Sequence, residues 1–134
     1  MIVKCHSNNI ADLSSSRTKE RVRSWLDSEG RYTDLEIGEE YTVEAIDYLD
    51  GGIWFYVHTN PTSEHPYPYA SEFFTIVDSS FPVTWVTGCQ VIDGKRMRFK
   101  RISFPEWASD DRFFEKLVDG VSTEVEIYAR NRSE

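Results

Sequence analysis

An α+β fold is predicted by three features of this sequence: an antiparallel, strongly bent sheet or partial small barrel of five to seven strands with two flanking helices. Several short runs alternate apolar and polar residues with the period of a strand, and turn residues punctuate them. Two other segments carry apolar residues at helical spacing, each ending at a glycine. The 134 residues, 40% hydrophobic and 14% aromatic, suffice for one core but not for a second, so a single domain over 1–134 is expected.

Ile2-Val3-Lys4-Cys5 reads as a short edge strand and Ser7-Asn8-Asn9 as a turn. The serines Ser14, Ser15 and Ser16 can cap a helix over about 16–28, with Val22, Trp25 and Leu26 at i, i+3, i+4 and Gly30 as its terminator. Arg17, Lys19, Arg21 and Arg23 fall mainly off that stripe and read as its solvated face. Next, Tyr41, Val43 and Ala45 alternate with Glu40, Thr42 and Glu44, after which Ile46 and Tyr48 are out of phase by one. A β-bulge near Ala45 and Ile46 restores the register. Asp50-Gly51-Gly52 predicts a hairpin, because its residues tolerate positive φ. The run Ile53-Trp54-Phe55-Tyr56-Val57 is apolar on both faces and is expected to be the most buried strand.

Pro66 and Pro68 fix their own φ and push His65 and Tyr67 toward extended backbone, which predicts a rigid crossing outside the ladder. Tyr67, Tyr69, Phe73 and Phe74 read chiefly as packing for that crossing. Strands follow over 73–77, 85–91 and 96–102, the last two joined at Asp93-Gly94, with Arg96, Arg98 and Lys100 on one basic face. Phe113, Phe114, Leu117 and Val118, ahead of Gly120, predict a second helix over about 107–119. Val121, Thr123, Val125, Ile127 and Ala129 alternate with polar neighbours and predict a final strand, followed by a polar tail over 130–134.

With 15 Lys and Arg against 23 Asp and Glu, the formal charge of −8 argues against direct contact with nucleic acid and favours a basic partner. Cys5 and Cys89 lie far apart with no ligand-spaced histidine, so neither a disulfide scaffold nor a metal is expected. The N-terminus turns polar too early for a signal peptide, and no apolar run approaches membrane-helix length, so a cytoplasmic protein is expected. His6, His58 and His65 are scattered, and no GxSxG, GxGxxG, P-loop or HExxH motif occurs. No enzyme and no cofactor is predicted, and nothing in the residues sets an oligomeric state.

The sharpest functional signal is residues 34–50, which hold Asp34, Glu36, Glu39, Glu40, Glu44, Asp47 and Asp50 without one Lys or Arg. The plain explanation is a solvated hairpin face. The functional one is a surface that a cationic partner neutralises, relieving repulsion among like charges. On that reading Glu36, Glu39, Glu40, Glu44, Asp47 and Asp50 are partner-facing charges, with Tyr48 and Tyr67 as aromatic anchors.

Leu35-Glu36-Ile37-Gly38-Glu39-Glu40-Tyr41-Thr42-Val43, followed by a glycine hairpin and an aromatic strand, resembles the opening of small β-barrels of the Src-homology 3 type. The longer order, with Leu35–Ile46, the His65–Asp78 stretch, Pro82-Val83-Thr84-Trp85 and the Phe-rich helix, is similar in kind to immunity proteins of contact-dependent inhibition and polymorphic toxin systems. That resemblance implies a protein that binds one cognate toxin domain, often a basic nuclease, with acidic side chains standing in for phosphates. Two alternatives stay open. One is a small-ligand or peptide module using a barrel mouth near Trp54, Tyr56 and Trp85. The other is an enzyme, whose structural sign would be His58 or His65 converging with acids in a deep cleft.

Overall fold

The computed structural model describes residues 1–92 and 96–132, apart from the side chains of 89–92 and 96–99. The expected Asp93-Gly94 turn, Lys95, the side chains of Arg96 and Arg98, and the end of the polar tail lie outside the described residues. Seven strands, β1 (Ile2–Cys5), β2 (Glu40–Leu49), β3 (Gly52–Val57), β4 (Tyr67–Ala70), β5 (Phe74–Asp78), β6 (Val86–Ile92) and β7 (Arg96–Ser103), form one antiparallel sheet. Four helices accompany it among the described residues, α1 (Ser16–Val22), α2 (Pro105–Ala108), α3 (Phe113–Val118) and α4 (Ser122–Asn131). The fold is α+β as expected, but the sheet does not close into a barrel.

β2 is the hub of the sheet. One edge pairs with β3 from Val43 to Leu49. Its other edge serves two strands in succession: residues 40–42 pair with β1, and Ile46 and Asp47 pair with β7. The expected bulge is present between Val43 and Ala45, where the β2–β3 register shifts. The turn to β3 uses Asp50 at φ 54° and Gly51 at φ 78°, the pair of left-handed residues that a two-residue hairpin of matching twist requires. Alternation then divides the apolar residues between two clusters. Ile46 and Phe55 join Val3, Val43, Val57, Phe73 and Phe74 in one, whereas their neighbours Ala45 and Tyr56 join Phe104, Trp107, Phe113, Leu117 and Tyr128 in the other.

Several elements differ from the pattern-based expectation. Residues 121–129 are helix α4 rather than a strand, because the alternating residues also place Val125, Tyr128 and Arg132 on one helical face, and Tyr128 buries against Phe104 and Trp107. The Pro-Tyr crossing is instead strand β4, laddered to β3 from Val57↔Tyr67 to Trp54↔Ala70. Since β4 is an edge strand, Pro68 costs the ladder no internal hydrogen bond. The 107–119 helix breaks into α2 and α3 at 109–112, where the Asp110 carboxylate accepts the Arg112 N–H at 2.9 Å.

The 16–28 helix ends at Val22 and passes through a 3-10 turn at Arg23–Trp25. Its sides are also reassigned. The Arg21 side chain is only 7% exposed, ion-paired to Glu72 at 2.5 Å with its guanidinium 5.2 Å from the Trp54 ring centre, while Trp25 is 49% exposed. Gly52 permits this, since a Cβ there would lie 1.9 Å from Arg21 Nη1.

One buried polar network joins the sheet to the C-terminal helices. Asp47 and Arg101, only 4% and 5% exposed, are cross-strand partners; Arg101 Nε donates to Asp47 Oδ1 at 2.6 Å and Nη2 to Oδ2 at 3.3 Å. Tyr56 Oη donates to Asp47 Oδ2 at 2.8 Å, and Arg101 Nη1 donates to the carbonyls of Trp107 and Asp110. Burial, reinforced by Asp47, pushes the Tyr56 phenol well above its ordinary range, so it stays a donor. Arg101→Met is expected to lower the unfolding free energy by about 3–5 kcal/mol in urea denaturation, because it leaves the Asp47 carboxylate buried and unpaired. A loss under about 1 kcal/mol would mean that water reaches Asp47 in the folded state.

Candidate functional site

The eight residues predicted to face a partner do not form one surface. Glu36, Glu39 and Glu40 are exposed, whereas Glu44 is 2% exposed and Asp47 is committed to Arg101. Those two are corrections to the expected acidic face. The middle of β2 is covered on both faces, from Val43 through Asp47, so alternation sends no side chain there to solvent. Asp50 is exposed but sits at the far end of β2, about 30 Å from Glu40 at the rise of an extended strand. It does not share a patch with Glu36–Glu40, and Arg17 approaches the neighbouring Gly51. Tyr48 is half-buried and Tyr67 is 48% exposed.

Of the exposed trio, Glu40 lines a cleft of about 420 Å³ between the start of β2, the loop after β3 and the end of α4. Glu40, Tyr41 and Glu44 line it from β2, His58 and Pro61 from the loop, and Arg132 from the C-terminal side. Tyr41 ties Glu36 to the same place, its hydroxyl accepting the Glu36 N–H at 3.1 Å. Among the described residues none of Glu36, Glu39 and Glu40 makes an ion pair, although Lys4 is the cross-strand neighbour of Glu40. Arg132 is held by the Ser63 and Pro61 carbonyls at 3.2 and 3.3 Å. Arg132 and Tyr128 escaped the sequence reading because 121–134 looked like a strand and a tail. Their helical spacing after Gly120 was the signal that could have found them.

His58 therefore does meet acids in a cleft, the geometric sign set for catalysis. Its electrostatics suit a different role. Nε2 lies 2.6 Å from the Tyr128 hydroxyl, and burial, then the Arg132 charge, then His65 lower its pKa from 6.5 to about 4. Burial and the nearby Glu44 push the Tyr128 phenol up, so neither partner exchanges protons readily near neutral pH. The pair is a neutral hydrogen-bonded post that docks α4 onto β3. His65 stands apart from this pair in its bonding, with Nδ1 3.1 Å from the Pro66 carbonyl and its ring 4.8 Å from that of Tyr67.

A barrel mouth at Trp54, Tyr56 and Trp85 does not form. Trp54 and Tyr56 are buried, and the Trp54 indole donates to the Leu49 carbonyl at 2.9 Å. Trp85 stacks on Phe81 with centroids 5.5 Å apart. Among the described residues no helix is long and apolar enough to cross a membrane. The chain matches no protein-family model, no curated protein and no solved structure.

The lowered His58 pKa makes stability depend on pH with a definite sign. The unfolded imidazole takes up its proton near 6.5 and the folded one only near 4, so this contribution is complete above that window and is lost as pH falls through it. His58→Gln is expected to remove that part of the profile when urea midpoints are compared across the window. An NMR titration in which the His58 ring protonates near its unperturbed value would overturn the assignment.

Proposed function

We propose that this chain is a non-catalytic, immunity-type binding protein, acting in the cytoplasm, that neutralises a basic toxin domain through the acidic end of its sheet. The observation that carries the reading is the run of exposed acids Glu36, Glu39 and Glu40, without ion pairs among the described residues, leading into β2, where Glu40 and the buried Glu44 line the cleft. The whole stretch from Tyr32 to Gly94 contains no Lys or Arg, and the cations near its acids, Lys4 opposite Glu40 and Arg132 in the cleft, come from other segments. An excess of acidic groups around a concave site steers a basic partner toward it. The cleft then offers polar groups on Glu40, Tyr41, His58 and Arg132. Burial of Glu44 and Asp47 narrows the working surface from a whole hairpin to one end of it. The trio would act mainly on the rate of association, and residues lining the cleft on the lifetime of the complex.

The product of the adjacent open reading frame is the partner to assay, by calorimetry at several ionic strengths. Glu39→Lys with Glu40→Lys is expected to weaken binding about tenfold or more at low salt and to flatten the salt dependence. Asp50→Asn, at the opposite end of β2, should leave affinity unchanged. Binding that is insensitive to salt, or equal loss in the Asp50 variant, would sink the acidic-end reading.

A further inference from the structure

A second, smaller recess of about 250 Å³ has largely aromatic walls. Tyr32 and Tyr69, both buried, form its base in edge-to-face contact at 5.1 Å. Trp25 and Tyr67, each about half exposed, line it with Pro68, and Asp34 is its carboxylate. The Tyr69 hydroxyl and Thr59 Oγ1 both donate to Asp34 Oδ2, and among the described residues Oδ1 has no hydrogen-bond partner. The carboxylate is thus fixed in place by one oxygen with the other left to accept.

We propose that this recess receives an arginine side chain of a protein partner. A guanidinium is planar, so it can stack on an aromatic face while its N–H groups reach a carboxylate, and the negative faces of Trp and Tyr favour the cation. The fold already contains that arrangement internally. Arg21 lies over Trp54 with its charge met by Glu72, and Trp25 packs on the same Trp54 ring at 5.6 Å. The recess offers the same set, aromatic faces with one carboxylate, to a cation from outside. An apolar groove for a proline-rich segment would need no carboxylate. Here one is oriented by two hydroxyls, next to the exposed Glu36 and in the stretch that lacks Lys and Arg.

The inference deepens the reading of a basic partner by naming the group that anchors it, and it rests on that reading for its biological partner. Its test does not need the partner. Acetyl-Gly-Arg-Gly-amide is titrated into the intact chain at constant ionic strength while the indole N–H resonances are followed, with the citrulline peptide as a neutral isostere. The arginine peptide should shift the Trp25 resonance saturably, leaving Trp85 and Trp107 in place, and citrulline should not. Asp34→Asn should weaken the binding read from that shift about tenfold; by calorimetry with the same peptide, Trp25→Ala should abolish binding, whereas Trp25→Phe retains most of it. Unmoved Trp85 and Trp107 resonances in each variant certify the fold. Equal response to citrulline or to a proline-rich peptide, or full binding by Asp34→Asn, overturns the proposal. If the peptide fails while the neighbouring gene product still binds in a salt-sensitive way, the recess assignment alone is wrong. If the peptide binds the recess and that product does not bind, the acidic-end reading is wrong.

Discussion

The buried pairing of Asp47 with Arg101 holds two parts of the chain that local preferences would leave independent. β2 and β7 pair over few residues, and the C-terminal helices have no strand of their own in the sheet. The guanidinium spans both gaps, since it meets the Asp47 carboxylate on β2 and the carbonyls of Trp107 and Asp110 at and beyond the end of α2. A buried ion pair gains little over a well-packed apolar pair, because desolvation consumes most of the Coulombic attraction. Its contribution lies in selectivity: a slip of one residue between β2 and β7 would strand a carboxylate and a guanidinium in the interior. With that register set, Phe104, Trp107 and Phe113 stack into the second apolar cluster, and Tyr128 of α4 closes it. The same tyrosine then meets His58, which brings Arg132 into the cleft. The candidate site is therefore assembled at the far end of a chain of contacts that begins at Asp47.

That dependence explains which features were legible in the residues. Signals confined to a few neighbours read correctly. Asp50-Gly51 announces its turn, the two-sided apolar run 53–57 announces a covered strand, and the phase slip in β2 announces the bulge. Features settled by distant partners did not. Val121–Ala129 satisfies a strand pattern and a helix pattern equally, and the choice falls to Phe104 and Trp107, which supply a surface for Tyr128. Arg21 looks like a solvated helix residue until Gly52 leaves room for its guanidinium over Trp54. Of the candidate site, Glu36, Glu39, Glu40 and the exposed Tyr67 were within reach of sequence. The burial of Glu44 and Asp47 was not, because acidity gives no sign of which carboxylate has a cation waiting 54 residues away.

The treatment of acids across the fold bears on what the exposed ones are for. Two covered carboxylates are each met by a guanidinium, Arg101 for Asp47 and Arg21 for Glu72. Exposed acids need no such partner, since water solvates them, so lack of pairing at Glu36, Glu39 and Glu40 is by itself ordinary. What distinguishes these three is their setting. Glu40 borders a concave site and all three belong to a stretch of sequence without any cation, whereas exposed acids such as Asp111 and Glu115 are ion-paired at 2.9 and 3.5 Å. Like charges held together at a cleft weaken the isolated fold slightly, and an external cation removes that penalty on binding. The aromatic recess extends the same logic from long-range attraction to a shaped contact. Its carboxylate is oriented before any partner arrives, so an arriving guanidinium loses less freedom in meeting it than it would at a mobile surface acid.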